Sequence, residues 1–89
     1  MIKTTVTIIN KLGLHARAAS KLVTTATEFS SSIRIGNDQQ IADAKNIMSV
    51  MMLAAGKGTE LQLEIDGNDQ DEALQAVIDL INRRFDEGE

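Results

Sequence analysis

The spacing of apolar residues changes repeatedly along this chain, and this feature constrains the fold more than any other. Apolar side chains occupy every second position of Leu61 to Ile65, and Ile2 to Ile8 keeps the same period with Thr4 on the apolar face. That period predicts half-buried strands. Ile33 to Ile35 and the residues from Ile41 flank turn formers at Gly36 to Asp38, which indicates a hairpin. The chain therefore contains four predicted strands.

Between these strands the apolar spacing becomes helical. Residues from Ala16 to Ala26 and from Ala73 to Ile81 place their apolar side chains on one face of a helix. Asn46 is a favourable N-cap for a short helix over Ile47 to Leu53. Before the last helix, Asp69 and Glu72 resemble a capping box.

The predicted order is β-α-β-β-α-β-α, which indicates an α+β fold. Strands with polar outer positions and helices with one apolar face pack most economically as two layers. We expect a four-stranded antiparallel sheet with three helices on one face and the other face open to water. With 89 residues and no linker-like segment, we expect one domain spanning residues 1–89.

Composition excludes several functions. The net charge is −4, and the chain has two Phe but no Trp or Tyr, which disfavours nucleic-acid binding. The absence of Cys and the single His leave no predicted metal cluster, and we expect no cofactor. No signal-like or membrane-length apolar run is present, so we expect a cytoplasmic protein. Charged runs such as Asp86 to Glu89 are interpreted as solvated surface.

His15, the single histidine, lies where the first strand has ended and the first helix begins. A helix start offers unpaired N–H groups and the positive end of the helix dipole, which together bind anions. We expect the imidazole there to be neutral and nucleophilic. Arg17 adds a guanidinium for the same anion, and the small residues Gly13 and Ala16 leave room for it. Phosphoryl transfer, which requires mainly positioning and electrostatics, fits this arrangement.

The second predicted helix is apolar nearly all the way round. A peripheral helix of a small two-layer domain cannot bury every side. We expect Val50 and Leu53 to face the core and four other apolar residues to be partly exposed, as an adaptable partner surface: Ile47, Met48, Met51 and Met52. The alternative, in which the methionines fill gaps in the core, is equally compatible with the pattern.

Three segments carry a resemblance to a known family. The chain resembles the histidine-containing phosphocarrier proteins, HPr, of the bacterial phosphoenolpyruvate-dependent phosphotransferase system. The resemblance covers essentially the whole chain. It is most specific in Asn10 to Arg17, which contains Gly-Leu-His-Ala-Arg, and it continues in Ala44 to Met48 and Ala55 to Gly58.

The resemblance implies an open-faced β-sandwich and a defined role for each site residue. His15 would accept a phosphoryl group on Nδ1 from Enzyme I and donate it to a histidine of an EIIA-type domain. Arg17 and the N–H groups of Ala16, Arg17 and Ala18 would hold the phosphate. The second helix, with Ser20 of the first, would dock both partners. The protein would act as a monomeric carrier in the cytoplasm rather than as a stand-alone enzyme, without nucleic acid and without insertion into a membrane.

Two positions depart from the family pattern. Ala18 replaces the usual proline, which loses rigidity but restores an N–H group. Asn46 stands where some members carry a regulatory serine, so that regulation is not carried over. Two questions remain open. A carrier could serve sugar uptake or the nitrogen-related branch, whose carrier is called NPr. The chain could instead be a regulatory docking module on the same fold, which the presence of His15 with Arg17 disfavours. A nucleic-acid-binding α+β domain is disfavoured.

Overall fold

The computed structural model describes residues 1–89 and has the predicted order of elements. Seven regular elements are present, followed by a short left-handed turn at Arg84–Asp86. The strands and helices are β1 (Ile2–Thr7), α1 (Ala16–Thr27), β2 (Ser32–Gly36), β3 (Ile41–Asp43), α2 (Ile47–Met52), β4 (Glu60–Asp66) and α3 (Gln70–Asn82). No helix is both long enough and apolar enough to cross a membrane.

The four strands form one antiparallel sheet in the order β1-β4-β2-β3. β4 is central to the pairing: Leu63 lies opposite Thr4 of β1 and Ile35 of β2. The inward positions of β4 are buried, whereas the alternate residues Glu60 and Gln62 are exposed. This alternation confirms the prediction of an open sheet with one face against the helices.

A single core lies between the sheet and the helices. Its members come from all four strands, from the three helices and from the C-terminal turn. α1 contributes small residues, Ala18, Ala19 and Ala26, around Leu22, and these let the helix approach the sheet closely. In α3 the buried set includes Leu80, which the sequence pattern did not single out.

The predicted capping box at Asp69 is wrong. Asp69 precedes α3 but makes no side-chain bond to that helix. Its carboxylate instead accepts the N–H of Ser30 at 2.9 Å, the N–H of Ser31 at 3.0 Å and the Ser31 hydroxyl. Three donors from the α1–β2 loop satisfy the carboxylate better than one N–H of its own helix. Asp69 therefore ties two loops that lie 38 residues apart in sequence.

Hydrogen bonds to the carboxylate give Asp69 a measurable pH signature. The hydroxyl of Ser31, and next the N–H of Ser30, lower the pKa of Asp69 from 3.8 to about 2. Because the folded-state pKa is depressed, the stabilisation is present above about pH 4 and is lost as the pH falls toward 2. We expect Asp69→Asn to lower the melting temperature at pH 6 but to match the wild type near pH 2. The exposed Asp71→Asn is the control, and a pH-independent effect of Asp69→Asn would contradict this account.

Candidate functional site

His15 is the N-cap residue of α1. Its backbone is extended, with φ −74° and ψ −179°, and its carbonyl accepts the first helical bond from Ala19 at 2.8 Å. Its side chain makes no capping bond and is 30% exposed. The imidazole is therefore free of the usual capping function and lies at the surface beside the helix start, as predicted.

The loop before His15 is held against the segment that follows α2. Leu14 N–H donates to the carbonyl of Ala55 at 2.9 Å, and Gly58 N–H donates to the carbonyl of Ile8 at 2.7 Å. Gly13 has φ +69°, and a Cβ there would lie only 2.4 Å from the carbonyl oxygen of Ala55. Only glycine fits this close approach. Two of the segments that carry the family resemblance, Asn10 to Arg17 and Ala55 to Gly58, are thus neighbours in space.

The first turn of α1 forms a cradle of N–H donors that have no partner within the chain. The N–H groups of Ala16, Arg17 and Ala18 donate to no carbonyl or side chain of the chain. Ala18 has a buried methyl group in the core, yet its backbone retains the N–H that proline would lack. The Arg17 side chain is exposed and forms no ion pair. These groups are positive and available to an anion beside His15.

A carboxylate that the sequence analysis assigned to solvated surface also belongs to the site. Glu87 Oε2 contacts Nε2 of His15, and its Oε1 accepts from Nδ2 of Asn10 at 2.9 Å. The Glu87 side chain is only 11% exposed. Burial raises the pKa of this carboxyl, but the hydrogen bonds from Asn10 and His15 and the nearby charges of His15 and Arg17 outweigh it, so the pKa lies below its ordinary value. Glu87 is therefore an anion in the site.

The C-terminal turn brings Glu87 to His15. Arg84, Phe85 and Asp86 have φ of 55°, 54° and 62°, so three successive non-glycine residues are left-handed. Such a run is costly for L-residues and persists only where its surroundings hold it. Phe85 is completely buried in the core, and Lys21 pairs with Asp86 at 3.4 Å. The turn packs against α1, and the residue that follows it, Glu87, contacts His15.

The predicted docking residues lie on the surface. Val50 is buried and Leu53 nearly so, whereas the four remaining apolar residues are exposed, in relative terms Ile47 38%, Met48 65%, Met51 37% and Met52 66%. The interpretation of the methionines as core residues is wrong, because one side of this short helix already fills the core. α2 packs on α1, and Ala55, which follows α2, accepts a hydrogen bond from Leu14 beside His15. Ser20 is exposed on α1. Asn46 caps α2 through Oδ1, which accepts from Ser49 N–H at 3.1 Å.

Fold and site together define a class: a small open-faced α+β protein with its single histidine at a helix start. Comparison with known proteins gives the family. A protein-family model described as "PTS HPr component phosphorylation site" matches residues 2–83 of the sequence. A phosphocarrier protein HPr of Pseudomonas aeruginosa is 59% identical over 94% of both chains. A phosphocarrier protein NPr of Shewanella violacea is 45% identical over 92% of this chain and 90% of its own.

A solved structure supports the same conclusion. A crystal structure of HPr-C-His from Thermoanaerobacter tengcongensis superposes with a TM-score of 0.92 at 42% identity, covering 98% of each chain. The chain belongs to the HPr family of phosphocarrier proteins of the phosphotransferase system.

Proposed function

We propose that this protein is a phosphoryl carrier whose acceptor is Nδ1 of His15, loaded by Enzyme I and discharged to a histidine of an EIIA-type domain. The observation that carries the proposal is the imidazole at the start of α1, beside three unpaired N–H groups and an unpaired guanidinium. Family membership supports the reaction, and this geometry supports the choice of residue. Half of the transfer site lies on this chain, and each partner supplies the other half.

The free N–H groups support the phosphorylated state. A phosphoryl group on the ring is close to a dianion, and dianions are stabilised by charge-assisted hydrogen bonds. Ala16, Arg17 and Ala18 supply backbone donors, and the Arg17 side chain supplies a planar fork that matches phosphate oxygens. Held in this way, the phosphoryl group remains on the carrier until a partner completes the site.

The exposed apolar face of α2 is the docking surface in this proposal. Ile47, Met48, Met51 and Met52 are exposed on a helix that packs on α1, the helix that begins after His15, and flexible methionines adapt to partners of different shape. Ser20 extends the surface onto α1. One surface would then serve donor and acceptor in turn, which requires that the two complexes be mutually exclusive.

A charge in the docking surface tests this role. Because Met48 is 65% exposed, Met48→Glu should leave the melting temperature within a few degrees of the wild type. Burying an unpaired carboxylate in an interface is unfavourable, so we expect phosphoryl exchange to slow about 10-fold or more with both Enzyme I and the EIIA-type acceptor. Met48→Leu is the matched control and should retain near-normal exchange. Unchanged rates for Met48→Glu would remove α2 from the docking surface.

The function is tested by incubation with phosphoenolpyruvate and the cognate Enzyme I. We expect one phosphate per chain, labile in acid and stable in alkali, and its transfer to an EIIA-type domain. A protein that binds Enzyme I yet takes no phosphate would instead be a regulatory docking module. Relative rates toward sugar-specific and nitrogen-related EIIA domains assign the branch, since relatives named HPr and NPr both match. The carrier is proposed to act in the cytoplasm as a monomeric domain of residues 1–89.

A further inference from the structure

The side-chain carboxylate of Glu87, which contacts His15, has a function that the phosphocarrier role alone does not require. We propose that Glu87 is a positioning residue: oriented by Asn10, it accepts the Nε2 proton of His15 and thereby leaves Nδ1 as the unprotonated, nucleophilic nitrogen. This inference rests on the proposed function of His15. It lies beyond the family match, which ends at residue 83.

The geometry of Asn10 determines how Glu87 is held. Asn10 is completely buried, and its Nδ2 donates both to the carbonyl of Gly13 at 2.8 Å and to Oε1 of Glu87 at 2.9 Å. Both partners are acceptors, so the amide cannot turn over without facing Oδ1 toward a carbonyl. Its Oδ1 is left buried with no partner. The fold thus tolerates one unsatisfied acceptor, a costly arrangement, while Nδ2 points at Glu87.

With one oxygen of Glu87 occupied by Asn10, the other meets the ring. A carboxylate only accepts hydrogen bonds, so the nitrogen that it contacts, Nε2, must carry the proton. In a neutral imidazole the other nitrogen, Nδ1, then holds the lone pair. The Glu87 side chain is only 11% exposed, so its contact with His15 is shielded from water. The ion pair of Lys11 with Glu89, at 3.9 Å, is by contrast between two exposed side chains. The other charged side chains that line this cleft are Lys11, Arg17, Asp86 and the largely exposed Glu89, and Lys21 pairs with Asp86.

The transfer step balances in this arrangement. The Nδ1 lone pair attacks phosphorus of the donor's phosphohistidine, the Nδ1–P bond forms, and the donor's N–P bond breaks with its electron pair returning to the donor nitrogen. No proton has to leave Nδ1. The positive charge that develops on the His15 ring is stabilised through Nε2–H by the carboxylate of Glu87. A carboxylate that orients a histidine in this way also increases the basicity of the other ring nitrogen.

A single-atom change separates this role from simple packing. In Glu87→Gln, only the oxygen of the new side-chain amide can accept the hydrogen bond that Asn10 Nδ2 now donates to Glu87. The NH₂ group of Gln must then face the ring, where it favours a lone pair on Nε2 and a proton on Nδ1. ¹⁵N NMR of the labelled imidazole at alkaline pH, where the ring is neutral, reports the tautomer directly. We expect Nδ1 to be unprotonated in the wild type and predominantly protonated in Glu87→Gln, with phosphoryl acceptance slowed about 10-fold or more.

Glu89→Gln, the same exchange two residues along the tail, is the matched control and should change neither readout. Glu87→Asp should restore the wild-type tautomer with a partial recovery of rate. The proposal is overturned if Glu87→Gln keeps the wild-type tautomer, or if it shifts the tautomer without slowing acceptance. Failure of the wild-type protein to take phosphate would instead contradict the proposed function, because the tautomer is measured without Enzyme I.

Discussion

His15→Ala is expected to abolish phosphorylation by phosphoenolpyruvate and Enzyme I, with labelling reduced to background. His15 is the only histidine and the chain has no cysteine, so no second imidazole and no thiolate is available to accept the phosphoryl group. The Ser31 hydroxyl, which donates to Asp69, is buried, and no other serine or threonine hydroxyl contacts a carboxylate or an imidazole that would activate it. The measurement is the incorporation of radiolabelled phosphate per chain, followed by acid treatment of the labelled protein.

The controls for this variant must separate lost chemistry from lost structure. His15→Gln retains an N–H donor that can face Glu87, and it too should remain unlabelled. Since His15 is 30% exposed and makes no capping bond, both variants should melt within a few degrees of the wild type. Persistent acid-labile labelling in either variant would contradict the assignment of His15, whatever the effect on stability.

Phe85→Ala is expected to lower the free energy of unfolding by about 3 to 5 kcal/mol, the usual cost of truncating a buried aromatic side chain. That is a large share of the stability of a small domain, which is about 5–15 kcal/mol. Phe85 is completely buried and anchors a left-handed turn, so its removal also weakens the surroundings that hold this turn. The measurement is urea unfolding followed by far-ultraviolet circular dichroism.

The other phenylalanine provides the comparison for this prediction. Phe29 is only partly buried at the end of α1, so Phe29→Ala should cost clearly less than Phe85→Ala. Release of the tail should also withdraw Glu87 from His15, which the ¹⁵N signals of the ring would report independently. A loss below about 1 kcal/mol for Phe85→Ala would show that the tail does not depend on the core.

Much of the architecture follows from the order of residues alone. The alternation in β4 and the helical spacing in α1 and α3 are local patterns, and the elements appear where these patterns predict them. The exposed face of α2 was expected because a peripheral helix of a small two-layer domain cannot bury a full ring of apolar side chains. The pattern fitted methionines buried in the core equally well, and the structure decided between the two. His15 and Arg17 were found because their relation to the helix start is also local in sequence.

Contacts between distant segments were not predictable in this way. Asp69 had the spacing of a helix cap, but its carboxylate bonds a loop that only the folded chain brings near. Phe85 interrupts a charged stretch, and no periodic pattern indicates that it turns back into the core. Arg84, Phe85 and Asp86 have positive φ, but none of them is glycine, so the sequence does not indicate a left-handed turn there.

The sequence by itself determined the fold class, the position of His15 at a helix start and the exposed apolar face of α2, because each depends on the spacing of residues along a short stretch of chain. Only the tertiary structure decided that the Glu87 carboxylate contacts Nε2 of His15, which is 72 residues away in sequence. It also decided that Asn10 donates hydrogen bonds both to Glu87 and to the carbonyl of Gly13 in the loop before His15. The reason is physical: a carboxylate in a charged tail has no preferred partner until burial of a neighbouring side chain, Phe85, determines where the tail lies.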